Sequence, residues 1–403
     1  MSETVGRLPV DVVQHLLDGV ADADRTYRGA WPGRPDRRQP VQVLYLPAHT
    51  VEAGTPRSAG RHALDLLDRH DGAGFAAALG LDHLSAAELD RVVQRVRTKL
   101  EHEPVEDLRV DFEDGYVGHG PGSEDADSVS AAVAVARMMA DGSCPPFVGL
   151  RVKSFTDGLA ARSVATLDRF VSTLLDEAGR LPDGFVVTFP KIISVDHVHA
   201  FVEVLAALEQ ANGLPTGTLG FEAQIETTAS VLGPDGRVAL RDIRAAGEGR
   251  LRAVHFGVFD YTAALGLPST EQRLDHPACD FARHLMQVTF AGTEVRLSDG
   301  STNVRPADDT TASVHAAWQV HAAHVRHSLA HGFWQGWDLH PSHLVSRYTT
   351  VFAHLLDGIA AVEARVRAWE EGTAAGAVMD EPATLVVLRR RLDLARSTGA
   401  LPS

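Results

Sequence analysis

The residues best placed to do chemistry are charged groups that close otherwise apolar runs. Glu226 ends the run Leu219–Ile225, and Asp260 ends Ala253–Phe259. Two carboxylates at the ends of successive strands suit a hard divalent cation, Mg²⁺ or alternatively Mn²⁺. Such ions take oxygen ligands and fill the octahedron with water and substrate oxygens. Arg151, within Phe147–Val152, would be a fixed cation beside the metal. It could grip a carboxylate with two parallel bonds or stabilise an enolate oxygen. Glu113 and Asp114, just past Leu108–Phe112, would fix Arg151 and metal-bound waters. Each residue also has a plainer reading: Glu226 as a helix N-terminal carboxylate, Asp260 as a helix cap, Arg151 in an ion pair with Glu113 or Asp114. Taken together the three favour a metal site. Charges at the ends of apolar strands are costly unless paired or liganded.

These ends need a frame that brings them into one plane. Eight short apolar runs recur: Val41–Pro47, Leu108–Phe112, Phe147–Val152, Phe185–Pro190, Leu219–Ile225, Ala253–Phe259, Glu294–Leu297 and Trp337–His340. Helical-period segments separate them, among them Ser85–Leu100, Ser128–Asp141, Leu159–Gly179 and Val195–Gly213. Buried strands alternating with helices indicate parallel β/α units, and eight of them make a (β/α)8 TIM barrel, whose active site lies at the strands' carboxyl ends. The competing doubly wound sheet would show a G-x-G-x-x-G turn after its first strand; here that strand runs into Leu46-Pro47-Ala48-His49. Residues 1–40 read as an N-terminal helix and arm, with Pro9 in the helix's first turn and a Pro/Arg/Gly-rich stretch from Trp31 to Pro40. Residues 41–342 read as the barrel, and 343–403 as a helical extension broken by a loop at Gly372–Gly376.

Composition narrows the function classes. The 403 residues carry 38 Lys plus Arg against 53 Asp plus Glu, a net charge of -15. Nucleic acid and anionic membranes are therefore poor partners. No apolar stretch approaches the ~18 residues of a membrane span. The first twenty residues lack a signal peptide's basic start and apolar core. Cys144 and Cys279 cannot build a disulfide framework. A cytoplasmic protein is expected. Only Lys99, Lys153 and Lys191 are lysines; every other basic residue is arginine.

The strand ends also carry a pattern. Asp111-Phe112-Glu113-Asp114-Gly115, Leu150-Arg151-Val152-Lys153, Phe189-Pro190-Lys191-Ile192, Ile225-Glu226-Thr227, Phe256-Gly257-Val258-Phe259-Asp260 with Ala264-Leu265-Gly266, and Leu339-His340-Pro341-Ser342-His343 fall in order. In this the sequence resembles the citrate lyase β-subunit-like / HpcH–HpaI aldolase family of phosphoenolpyruvate/pyruvate-binding barrels. The resemblance implies Mg²⁺ on Glu226 and Asp260 and an enolate-stabilising role for Arg151. It also implies a substrate carboxylate received near Gly257, Phe259 and Asp260, where the following helix opens. It departs from the family at Lys153, where asparagine is usual, at Phe112 and Gly115, and at His343, where glutamine is usual. The family's habit and the exposed arm point to a homo-oligomer, a trimer or a multiple of one.

Several other residues bear on the site. His49, after the first strand, and His119, in the loop Gly115–Gly122, are candidate general bases at the mouth. Asp299 would end the seventh strand and contact substrate or order a base. Glu222 faces the same side as Glu226 by strand period, with Glu226 nearer the carboxyl end. Lys191, matching the family motif in an arginine-rich chain, is expected to need a compact buried ammonium at the substrate. His315, His321, His324, His327 and His331 share one helical segment. With no H-E-x-x-H and no carboxylate there, that segment reads as a solvated face. The function expected is a Mg²⁺-dependent carbon–carbon lyase or aldolase joining a 2-oxo acid (pyruvate, glyoxylate or oxaloacetate) to an aldehyde or acyl-CoA partner. The rivals are malate-synthase-like condensation, other phosphoenolpyruvate/pyruvate chemistry, and a barrel that binds a metabolite without turnover.

Overall fold

Eight short parallel strands pair side by side until the last meets the first, closing the expected barrel. In the computed structural model, which describes residues 4–5, 7–33, 38–372 and 381–402, they are β1 (Gln42–Pro47), β2 (Asp107–Asp111), β3 (Phe147–Arg151), β4 (Phe185–Phe189), β5 (Phe221–Ile225), β6 (Leu251–Phe256), β7 (Arg296–Ser301) and β8 (Gln335–Asp338). Helices follow the strands and cover the outer face, so the strands are buried on both sides and lose polar alternation. The helix expected at 85–100 is Ala86–His102, opened by a reciprocal Ser85/Glu88 capping box. Those expected at 128–141, 159–179 and 195–213 are Pro121–Ala140, Ala160–Ala178 and Val195–Ala211. The sixth strand lies earlier than the apolar run suggested, because Gly257 starts a helix whose Val258 and Tyr261 are themselves buried. The seventh extends later, through Ser298 and Asp299, which are polar yet fully buried.

Aliphatic layers do not fill the barrel's interior; paired charges do. Arg109 of β2 reaches across to β5 with two parallel bonds to Glu222, at 2.9 and 3.0 Å. Asp107 holds the same guanidinium from below. Thr188 of β4 donates to Glu222 at 2.5 Å, and His255 of β6 stands 3.0 Å from its other oxygen. Burial would raise the Glu222 carboxyl, yet Arg109 holds it well below the usual carboxylate range. Above this layer Tyr45 stacks on Trp337, ring centres 4.6 Å apart. β3 and β4 approach so closely at Gly149 that any Cβ would lie 1.8 Å from the Val186 carbonyl oxygen. Lys99 anchors the helix before β2, its ammonium 2.5 Å from Glu103 and 2.6 Å from Glu106.

The arm carries a two-stranded antiparallel pair, Thr4–Val5 with Leu8–Pro9, and the helices Val10–Leu17 and Val20–Ala30, neither of which buries a residue. Pro9 stands one place earlier than expected, at the N-cap. The arm's end docks on the barrel where Arg244 donates to the Ala30 carbonyl (2.9 Å) and Gly33 to that of Gly292 (2.7 Å). Residues 34–37 of the Trp31–Pro40 stretch, and 373–376 of the Gly/Ala loop, lie outside the described residues. Helix His343–Leu356, placed in the extension by sequence, is buried along nearly its whole length among the barrel helices. Beyond it, Ile359–Glu370 and Pro382–Ser397 form their own small core of Val362, Val366, Leu385, Leu388 and Leu392.

Candidate active site

At the carboxyl end of β2 the chain turns so that Asp111 caps its own loop. Asp111 Oδ1 accepts from the Glu113 N–H and Oδ2 from the Gly115 N–H, both at 2.9 Å. A Cβ at position 115 would come within 2.5 Å of that Oδ2, so the glycine there is needed for the turn. The same two oxygens take Arg151 Nε at 2.7 Å and Nη2 at 2.6 Å. Glu113 and Asp114 stand 3.3 and 3.4 Å from Arg151 Nη1. Its guanidinium lies over the Tyr45 and Trp337 rings, 5.3 and 5.8 Å from their centres. Arg151 is thus a buried, oriented cation. Its main partner is Asp111, which sequence reading passed over in favour of Glu113 and Asp114.

Lys191 stands on the other side of these carboxylates. Its ammonium contacts Glu113 and lies 2.9 Å from Asp114 and 3.4 Å from Asp260. Its backbone N–H donates to Glu226 Oε1 at 2.7 Å. Where a buried ammonium is expected, the Lys191 side chain is partly buried, with 24% of it open to solvent. The backbone is left-handed at Lys191, φ 49°, a conformation that costs a non-glycine residue of order 1 kcal/mol. Glu226 is buried, and Gln224 donates to its Oε2 at 2.7 Å. That donation leaves Gln224 Oε1 buried with no hydrogen-bond partner. Gly257 makes room for this carboxylate: a Cβ there would meet Glu226 Oε2 at 2.4 Å. Asp260 and Phe259 sit in the short helix Val258–Ala264 that follows.

Five carboxylates, Asp111, Glu113, Asp114, Glu226 and Asp260, therefore meet two cations, Arg151 and Lys191. Burial and the crowding of negative charge both act on these carboxyls. Burial and the neighbouring Asp260 and Glu113 push the Glu226 carboxyl up to about 8, with Lys191 pulling the other way. Burial, with Asp114 beside it, pushes Glu113 up to about 7, against the pull of Arg151 and Lys191. An all-oxygen donor set, an orphaned buried amide oxygen and surplus negative charge suit a hard divalent cation. Glu226 and Asp260 are the residues that could hold it.

Other expected residues are distributed differently. His49 is exposed at the mouth, its ring tilted against that of His119 (centres 4.5 Å apart), which in turn stacks on Tyr116 (4.2 Å). Lys153 shares none of the carboxylates that hold Lys191: it donates to the Phe112 carbonyl at 2.7 Å, with Glu124 3.5 Å away. Asp299 is not brought to the mouth. It faces the helical layer, where Arg283 Nε lies 3.0 and 2.9 Å from its two oxygens and Ser328 donates at 2.6 Å. The parity of β7 turns it outward.

The histidine-bearing helix, Thr311–Ala330, is not a solvated face. His321 and His324 are buried, and the carboxylates they meet come from other elements. His321 lies 3.1 Å from Asp338 and its Nδ1 2.7 Å from Ser346 Oγ. Its ring stacks on that of His343, 4.4 Å between centres. Arg347 already neutralises Asp338 at 2.8 Å. Counting carboxylates within the segment could not find partners that lie far away in sequence.

Among known proteins, the chain is 40% identical over 97 residues to L-malyl-CoA/beta-methylmalyl-CoA lyase of Haloarcula marismortui, a stretch covering 24% of this chain and 26% of that protein. The chain thus spans about a quarter of the length of this curated relative. A citrate lyase structure from Burkholderia xenovorans LB400 superposes with a TM-score of 0.54 at 19% identity, over 77% of this chain and 92% of that one. The magnesium/glyoxylate complex of Haloferax volcanii malate synthase superposes with a TM-score of 0.51 at 15% identity, over 89% and 99%. The barrel fold is shared with both. The model of a family described as "Domain of unknown function (DUF6986)" matches residues 20–403, and the chain belongs to that family.

Proposed function

We propose that the protein is a divalent-metal-dependent carbon–carbon lyase. It makes or breaks the bond between a 2-oxo acid (pyruvate, glyoxylate or oxaloacetate) and an aldehyde or acyl-CoA partner. The observation that carries this reading is the carboxylate surplus around Lys191 and Arg151 at the barrel's carboxyl end. The names of the malyl-CoA lyase relative and of the citrate lyase neighbour support it. Glu226 and Asp260 would hold Mg²⁺ or Mn²⁺, which when bound supplies Lewis-acid stabilisation of negative charge developing on the 2-oxo acid.

The chain's own groups do the rest. Arg151, oriented by Asp111, offers fixed N–H donors toward an enolate oxygen and stays protonated throughout. Lys191 holds Glu113 and Asp114 in place and adds positive charge at the substrate. Gly257 and Phe259 line the place for the substrate carboxylate. Tyr45 and Trp337 close the floor and keep water from the reacting carbon. His49 is the base at the open side, steadied by His119. The exposed arm mediates a homo-oligomer.

The test is turnover of a panel of 2-oxo acid adducts, free and as thioesters, with Mg²⁺ and after chelation. Chelation should abolish 2-oxo acid release and added Mg²⁺ restore it. Release at the full rate from the chelated protein would end this reading. Release of free thiol with glyoxylate and a thioester would assign malate-synthase-like condensation. Saturable 2-oxo acid binding without turnover across the panel would assign a binding barrel.

A further inference from the structure

The chain has twenty histidines, and two of them, His327 and His331, meet Asp280 between two helices outside the strand-end carboxylates. Helix Pro277–Phe290 carries Asp280 and His284 one turn apart. Helix Thr311–Ala330 carries His327, with His331 as its C-cap one turn later. Asp280 Oδ1 lies 2.8 Å from His327 Nε2 and 3.6 Å from His331 Nε2. One ligand atom from each of the three falls within 4.8 Å of the others. Two ligands on a tetrahedral zinc ion, with bonds of about 2.0–2.1 Å, stand roughly 3.3 Å apart, so only small side-chain shifts are needed.

The ring orientation is already set. His331 Nδ1 lies 2.9 Å from the His327 carbonyl oxygen, which can only accept. Nδ1 therefore carries the proton, and the Nε2 lone pair faces Asp280. A backbone carbonyl on the far nitrogen is the usual second support of a metal-binding imidazole. Arg283 Nη1 donates to the same Asp280 Oδ1 at 2.7 Å and fixes the carboxylate, while its Nε is engaged by Asp299. The Oδ1 lone pairs are thus shared between the guanidinium and the imidazoles. The exposed His284 ring, 5.6 Å from that of His331 between centres, can supply a fourth ligand. Asp280, His327 and His331 each keep about a quarter of the side chain open (23%, 24% and 24%), so an ion can enter. The group of His321, Asp338 and His343 differs, because all three side chains are buried and offer an ion no entry from solvent.

We propose that Asp280, His327 and His331, with His284 as fourth ligand, form a binding site for a borderline transition-metal cation of the Zn²⁺ class. Imidazole selects such ions, whereas the all-oxygen nest at the barrel mouth selects Mg²⁺, so the two sites sort metals by softness. The bound ion would clasp the two helices that cover β7.

The test is a Co²⁺ titration of the full-length protein in excess Mg²⁺. One equivalent should give the intense visible bands of tetrahedral Co²⁺, bleached by Zn²⁺. His327→Gln and His331→Gln should each weaken binding by at least about tenfold, while Glu226→Gln leaves the bands intact. X-ray absorption of the zinc-loaded wild type should show at least two imidazoles, a readout that does not depend on variants folding. Absent bands, bands that survive both histidine substitutions, or an all-oxygen zinc shell would each overturn the proposal.

Discussion

At the scale of the residue, Gly257 and Lys191 bear most directly on the mouth. A methyl group at 257 would sit 2.5 Å from Glu226 Cβ and 2.4 Å from Oε2, so the carboxylate must swing away. Gly257→Ala is expected to lower Mg²⁺ affinity about 10- to 100-fold, read by calorimetry, with the circular dichroism spectrum unchanged. Unaltered affinity would remove Glu226 from the metal site. Lys191→Arg exchanges a compact ammonium for a planar fork that cannot sit among Glu113, Asp114 and Asp260 in the same way. It should lower kcat/KM by about tenfold or more. Lys191→Asn tolerates the left-handed backbone better and should keep the melting temperature while losing activity. Full activity in both variants would make Lys191 incidental to the reaction.

At the scale of the element, the contact between helix Thr311–Ala330 and helix His343–Leu356 makes the fold acid-sensitive. Burial, with His343 beside it, pushes His321 down to about 3. Burial and His343 likewise push His340 to about 4. Burial alone would raise Asp338, yet Arg347 holds it below the usual carboxylate range. The unfolded chain binds protons on these imidazoles below about pH 6.5, and the folded chain does so only near the lower values. Their stabilising contribution is therefore complete above about pH 6.5 and is lost as pH falls toward 3. Urea unfolding free energy should drop by up to a few kcal/mol between pH 7.5 and 5. A flat profile would show that the imidazoles are not held neutral. The same elements show what sequence could reveal. Strands buried on both faces stand out as apolar runs, so the barrel was legible. Whether a polar residue points in or out was not, since one residue of register reverses it. That is why Asp299 was placed at the mouth and why Asp111 and Gln224 were missed, although Gln224 shares the inward parity of Glu222 and Glu226.

At the scale of the whole molecule, the arm leaves Val12, Leu16, Leu17 and Val20 exposed on two helices that bury no residue among the described ones. A second copy of this chain is the occupant proposed for that face. Light scattering should find a species heavier than one 43.3 kDa chain. Leu16→Glu with Leu17→Glu should shift it toward the monomer without altering Mg²⁺ binding. A wild type that runs at the mass of one chain would refute the proposal.

The three lysines carry one more consequence. Each ammonium is turned onto carboxylates or a carbonyl, and the most open side chain, that of Lys191, is only 24% exposed. A protein of this length ordinarily displays many surface amines; this one offers acylating reagents, acetyl donors and isopeptide-forming conjugation almost no ε-amine. The first lysine to react would be the one at the barrel mouth. An amine label would therefore act as a reporter of that site, slowed by whatever fills it.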